Sequence, residues 1–520
     1  MLTLRKNDFN DKDTKYSLTN VSIVQERIQF KIDIRKDSLN KALFCKRFNL
    51  THLNLFSNPH YFINSLNSKE LIINGLEYIL LSIFDSNNSP YNSYTFQTDF
   101  VEGIHSLINS YLNDEDIIFS ILKTFVNLTN ENSTFSKDIF FANNKYIINY
   151  LNIFATYNKV NICITCILLY FFGLCCDNHI QNEQILYNNG IITQIIHNFD
   201  ITNDNIDIID IKIWFISILN TYDIIQMDIY LCIELQKKLF DIIRNNSLEK
   251  IKGRYKYIIQ NCLKFLMNLS SCSHKEIMNK FIKSEIINYI LLYRKKYLLE
   301  SVEYFLRIVG NLISEANENV NFIINENLIS YLLSILKDKE ISNKIKDICF
   351  WVLGNIIIEI DEDNWCLTEK IFCLFIELIK EGIKQMNFIF DNEITINLGA
   401  MIGNMNEDQR MKIIQTYDMC TVINNFIKKY VENIQSISHV KVCYYGLEII
   451  AEIVMNKNNS GVLGRKLLNE KGCFDLIEKI INLSYLYINN VHNNEMLSKY
   501  YNSIITIGEE LIKENKSIIP

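Results

Sequence analysis

The feature that most constrains this sequence is internal repetition. The stretch FIINENLISYLLSILKDKEISNKIKDICFWVLGNII (Phe322–Ile357) has two shorter apolar segments, each followed by a polar or charged break, and then a longer third segment. In the third segment Ile345, Ile348, Cys349, Val352 and Leu353 fall at i, i+3, i+4, i+7 and i+8, one stripe of an α-helix. The preceding unit, FIKSEIINYILLYRKKYLLESVEYFLRIVGNLI (Phe281–Ile313), follows the same plan, and further copies begin near Phe141 and Ile185. The third segments carry an asparagine after a small or apolar pair, at Asn127, Asn220, Asn268, Asn311, Asn355 and Asn404, and a seventh copy has Leu174 in that place. Successive intervals are 47, 46, 48, 43, 44 and 49 residues. Asparagine abounds in the loops too, but inside an apolar helix it is unfavourable without a partner, so the register points to a polar ladder.

That period is the length of a three-helix armadillo-type repeat. Such units cannot bury their apolar faces alone and stack into a continuous core. The expected fold is all-α, an armadillo-type right-handed superhelical solenoid of about ten three-helix repeats. Composition agrees. The 520 residues include only 15 glycines and 3 prolines, too few turn formers for an all-β barrel or sandwich of this size. Neither GxGxxG nor GxxxxGK[ST] occurs, which removes the usual phosphate loops. With 48% hydrophobic and 21% charged residues the chain has ample material for a core.

The formal charge of −7 gives no global field for nucleic acid, and no stretch interleaves basic and aromatic residues. Cys163, Cys166, Cys175 and Cys176 could in principle hold zinc as thiolates. They lie in the uncharged run Val160–Cys176, where metal-bound thiolates would lack polar support, so they are expected to be reduced core cysteines. That run of 17 residues spans roughly 25 Å as a helix, short of a ~30 Å hydrocarbon layer, and reads as a central buried helix rather than a membrane span. The polar start carries no visible secretory signal, in keeping with reduced thiols. No HExxH motif is present, and His274 near Cys272 has no acidic orienter. The chain is expected to bind rather than catalyse, with no cofactor and no metal.

Several segments resemble importin-α, the adaptor family that carries nuclear localisation signals. RIVGNLI (Arg307–Ile313) and WVLGNII (Trp351–Ile357) look like third helices of that family's central repeats. YYGLEIIAEIV (Tyr444–Val454) is similar to a late-repeat helix, and LLNEKGCFDLIEKI (Leu467–Ile480) to the entry of the final repeat. The likeness spans most of residues 70–515. A weaker match lies in IRKDSLNKALFCKR (Ile34–Arg47), which resembles the importin-β-binding arm, with Arg35, Lys36, Leu43, Phe44, Lys46 and Arg47 in the corresponding places. The family's first run of arginines is absent there, and Asp33 and Asp37 intrude. The resemblance divides the chain into a disordered start (1–20), a degenerate carrier-binding arm (21–50) and a repeat solenoid (51–520).

The resemblance implies a cargo groove in which asparagine amides hold an extended peptide backbone and aromatic walls hold lysines. In the family a tryptophan stands four residues, one helical turn, before each asparagine. Here those positions are Lys123, Tyr170, Ile216, Lys264, Arg307, Trp351 and Ala400. Trp351 matches the family's tryptophan, Arg307 matches an arginine the family uses, and Tyr170 is a weaker aromatic. The expected cargo-binding set is Arg307, Asn311, Trp351, Asn355 and Asn404, joined by Asn127, Asn220, Asn268 and Tyr170. Glu315 and Asp347 would attract basic cargo. Trp214, six residues before Asn220, is expected to face elsewhere as core, and Trp365 to anchor a loop. Partners implied are basic signal-peptide cargo and an importin-β-type carrier, with no nucleic acid and no membrane insertion, in cytoplasm and nucleus. The alternative is an armadillo scaffold for another extended peptide, with import activity lost.

Overall fold

The computed structural model describes residues 59–516, apart from 86–93, 130–135, 159, 178, 201–203, 220–228, 245–253, 273, 294–298, 316–322, 361–363, 386–389, 432–433, 435, 457 and 489–494. The arm with Arg35, Lys36, Leu43, Phe44, Lys46 and Arg47 lies outside the described residues, as does Asn220. Every regular element among the described residues is helical. The chain divides into two compact units, residues 1–277 with 295–301, and residues 278–294 with 302–520.

In the first unit the third helices of successive repeats stack side by side. They are α1 (Lys69–Asp85), α2 (Glu115–Leu128), α3 (Ile162–Cys176), α4 (Ile206–Ile218) and α5 (Arg254–Ser270). The second unit has its own series of third helices, α6 (Leu299–Glu315, in this unit from Val302 on), α7 (Asn343–Glu359), α8 (Asp391–Asn404), α9 (Ile437–Val454) and α10 (Glu495–Lys516). Shorter helices such as Glu326–Lys337 and Met419–Val431 flank this stack and close the core. The fold is therefore all-α and armadillo-type in each unit.

The asparagine bias has a structural use at helix starts. Asn143, Asn161, Asn205, Asn325, Asn406 and Asn458 all accept a backbone N–H from the first turn of the helix they precede. Asn406 forms a full capping box with Gln409. Each such cap is worth about 1 kcal/mol relative to alanine.

The run read as a central helix is α3. Its residues from Ile164 to Gly173 are buried, and it packs on α2, α4 and the helix Asn144–Tyr157. Burial pushes the thiols of Cys166, Cys175 and Cys176 upward, so they keep their protons at neutral pH. Among the described residues no helix is long and apolar enough to cross a membrane, and no group of His, Cys, Asp or Glu is placed to hold a metal.

A polar knot ties the early repeats together. His105 stacks on Tyr146, with ring centroids 3.9 Å apart. Tyr150 Oη donates to Phe140 O at 3.1 Å, so it accepts from His105 Nε2 at 3.2 Å. Asn149 Nδ2 lies 3.2 Å from both His105 Nδ1 and His105 O. Both ring nitrogens are thus satisfied in the neutral form, and burial lowers the pKa of His105 to about 3. The unfolded chain would bind a proton here near pH 6.5, the ordinary value of a histidine, and the folded one would not. The contribution of His105 is complete above pH 6.5 and falls by about 1.4 kcal/mol per pH unit as pH drops toward 3. The urea midpoint of the wild type is expected to fall more steeply between pH 6.5 and 4 than that of His105→Gln. Coincident slopes would remove His105 as the source.

Candidate functional site

The site is built where α6 and α7 lie side by side in the second unit. Residues one turn apart share a helical face. On α6 that face presents Glu303, Arg307 and Asn311; on α7 it presents Asp347, Trp351 and Asn355. Gly310 lets the two faces meet. The six-membered ring of Trp351 fills the space a Cβ at Gly310 would take. The ring still keeps 42% of the residue's surface exposed. One turn on, Asn355 Nδ2 donates to Gly310 O at 3.1 Å. Its Oδ1 has no donor among the described residues.

Charge around the ring is arranged by ion pairs. Glu303 takes Lys344 Nζ at 2.7 Å and Arg307 Nε at 3.3 Å. Partial burial works to raise the Glu303 carboxyl, but Lys344 and then Arg307 outweigh it and hold its pKa below the usual value. Arg307 is thereby tied to the preceding turn of α6. Asp347 is exposed one turn before Trp351 and has no ion-pair partner among the described residues. Partial desolvation raises its carboxyl. Glu315 is exposed at the far end of α6.

The structure brings Arg307, Asn311, Trp351 and Asn355 together. Asn404 lies on the next helix but out of step. Its Nδ2 reaches Ile357 O at 3.4 Å, one turn beyond Gly354, so the exposed Asn404 sits nearer the end of the stack than the ladder spacing implies. The amide facing Gly354 belongs to Asn397, whose Nδ2 donates to Phe350 O at 3.2 Å. The interval of 49 residues before Asn404, against 44 before Asn355, was the sequence signal of this slip.

The first unit holds a second tryptophan of the same kind. Trp214 does not face away as core. Its ring covers Gly173, as Trp351 covers Gly310, and it lies 5.0 Å from the ring of Tyr170. Both pairs are separated by 41 residues, a spacing that identifies Trp214 where the asparagine register does not. One turn after Trp214 stands Ile218, the last residue of α4, and not an asparagine. Tyr170 is only 8% exposed and supports Trp214 rather than forming a free wall. Asn127 with Lys123, on α2, and Asn268 with Lys264, on α5, are half-buried on the helices either side of this pair. Trp365 is half-buried under Lys412, whose Nζ lies 5.8 Å from its ring.

No protein-family model matches the sequence, and no curated protein matches it. Solved structures do. An engineered protein of a structural genomics consortium superposes with a TM-score of 0.58 at 10% identity, covering 86% of this chain and 98% of its own. A chain from work on a conserved phosphorylation switch that controls the interaction between cadherin and beta-catenin gives 0.53 at 10% identity, covering 88% and 82%. A designed armadillo repeat protein in complex with a (KR)4 peptide reaches a TM-score of 0.37 at 17% identity over 52% of this chain, too low to weigh. At these identities the likeness establishes the fold, that of armadillo-repeat proteins.

The close approach at Gly310 is directly testable. Gly310→Ala puts a methyl into the Trp351 ring and is expected to destabilise by about 1–3 kcal/mol, with a shift in tryptophan emission. Gly399→Ala meets only ordinary contact, Ile449 at 3.7 Å, and is expected to be neutral or to stabilise by up to about 1 kcal/mol. Urea unfolding of the two variants checks both.

Proposed function

We propose that the chain is an adaptor that binds extended basic peptides of the nuclear-localisation-signal kind along the ladder face of α6 and α7. In this reading residues 34–47 engage an importin-β-type carrier, and the protein works between cytoplasm and nucleus. The observation that carries the reading is the Trp351 station. A half-exposed ring is braced on a glycine backbone, a carboxylate with no ion-pair partner among the described residues stands one turn before it and an amide one turn after. A lysine laid on such a ring gains about 0.5–2 kcal/mol, and an extended backbone needs the hydrogen-bond partner that Asn355 Oδ1 offers. The work done is recognition, with no bond made or broken.

A second reading is favoured by a different observation. In the first unit Lys123 and Lys264 occupy the places where the family has walls for lysine, and both would repel a basic side chain. A scaffold for another extended peptide, with import activity lost, accounts for them. Capture of an importin-β-type carrier by an immobilised peptide of residues 1–60 separates the two readings. Binding supports the adaptor, and its absence leaves the scaffold.

Trp351→Ala combined with Asn355→Ala is expected to weaken a labelled lysine-rich signal peptide by about tenfold or more in fluorescence polarisation. Helicity should persist, since Trp351 is half-exposed and Asn355 contributes one hydrogen bond between helices. An unchanged dissociation constant would remove the site assignment.

A further inference from the structure

The two tryptophan stations carry opposite charge around the same geometry. One turn before Trp351, Asp347 is exposed; one turn before Trp214, Asp210 is only 1% exposed. One turn after Trp351 stands the amide of Asn355; one turn after Trp214 stands the half-buried Ile218. The helices on either side of the Trp214 station supply cations. On α2, Ser120, Lys123 and Asn127 are half-buried at i, i+3 and i+7, and on α5, Tyr257, Asn261, Lys264 and Asn268 are half-buried at i, i+4, i+7 and i+11, one open stripe on each helix.

Cross-contacts set the level of both lysines. Asn161 Nδ2 donates to Glu115 Oε2 at 2.7 Å, and the rings of Phe125 and Phe171 lie 5.4 Å apart, so α2 and α3 run parallel with 46 residues between partners. Cys166 Sγ donates to Asp207 O at 3.7 Å and the Trp214 ring covers Gly173, so α3 and α4 run parallel with 41 residues between partners. Lys123 is thereby level with Asp210, one turn from Trp214. On α5 the Cys262 thiol is raised by burial and then by the charge of Asp210, which makes those two residues neighbours and puts Lys264 within about a turn of the level of Trp214. Lys264 makes no ion pair among the described residues. Of the carboxylates on this side, Asp116 pairs with Lys69 at 2.6 Å, and Asp207 stands in the first turn of α4, two turns before Trp214.

We propose that the Trp214 station receives an extended acidic peptide, with an aliphatic or aromatic side chain on Trp214 and Ile218 and carboxylates at Lys264 and Lys123. The lysine stems lie along the helices while their ammonium groups reach the groove. The inference rests on the reading of the ladder face as a peptide groove and is independent of the ligand on Trp351. Packed helices lie about 8–10 Å apart and an extended strand advances about 3.3 Å per residue, so a peptide crossing the helices passes one of them in about three residues. The carboxylate at Lys264 falls about three positions from the residue on Trp214. The one at Lys123, two helices away, falls about six positions to the other side.

The test uses the full chain and short labelled peptides with one central phenylalanine, with dissociation constants read by fluorescence polarisation. Glutamate or glutamine stands about three positions to one side of the phenylalanine and about six to the other, in both chain orders. In one order the glutamate peptide is expected to bind about fivefold tighter than the glutamine peptide, with the advantage shrinking at high salt. Lys123→Glu with Lys264→Glu is expected to reverse that ranking, and Lys123→Gln with Lys264→Gln, which removes the charges alone, to bring the ratio near one. Trp351→Ala is expected to leave the ranking as it is. Equal binding of glutamate and glutamine peptides in both orders, or a ranking that survives the charge reversal, would overturn the acidic assignment, and a lysine-rich signal peptide that still binds would leave the groove reading standing. A ranking lost in Trp351→Ala would overturn it by moving the peptide to α6 and α7. Failure of every peptide, the lysine-rich one included, would overturn both readings.

Discussion

A tryptophan ring laid on a glycine backbone controls how closely neighbouring ladder helices approach. At Gly310 a methyl group would occupy the space of the Trp351 ring, so the residue on one repeat and the gap on the previous one are a matched pair. The contact has two effects. It leaves part of the ring toward solvent, and it brings Asn355 within hydrogen-bonding reach of the Gly310 carbonyl. The first unit makes the same match with Trp214 and Gly173, but follows it with Ile218. The geometric half of the station is thus present in both units, and the polar half only in the second.

Asparagine has a role in this chain beyond the ladder. Side-chain amides tie elements about one repeat apart: Asn149 to His105, Asn355 to Gly310, Asn397 to Phe350, Asn404 to Ile357 and Asn424 to Lys471. Each donates to a backbone carbonyl. Stacked repeats otherwise touch through apolar side chains, which are tolerant of sliding. A directional amide–carbonyl bond fixes the register that the apolar contacts leave loose. The abundance of asparagine in the sequence is in part the material of these cross-ties and of the helix caps.

Much of the architecture was legible because period and helical stripe are local properties of the chain. The stripe through Ile345, Ile348, Val352 and Leu353 appears as the buried face of α7. The site was legible only where glycine, tryptophan and asparagine kept their spacing, as at Gly310, Trp351 and Asn355. Trp214 was missed because its partner glycine sits on the previous helix, and only the pair identifies it. The Glu303–Lys344 bridge crosses between repeats and has no trace in local pattern.

The cysteines give the molecule an unplanned chemical handle. Most of the described thiols are sealed in the stack and held protonated by burial, so a thiol reagent meets them only on unfolding. Cys366 is exposed, and it is the chain neighbour of Trp365, which stands under Lys412 in the wall of a cleft between the ends of α7 and α8. A maleimide dye placed there in the folded state would sit beside that wall and sense what enters, with no engineered residue.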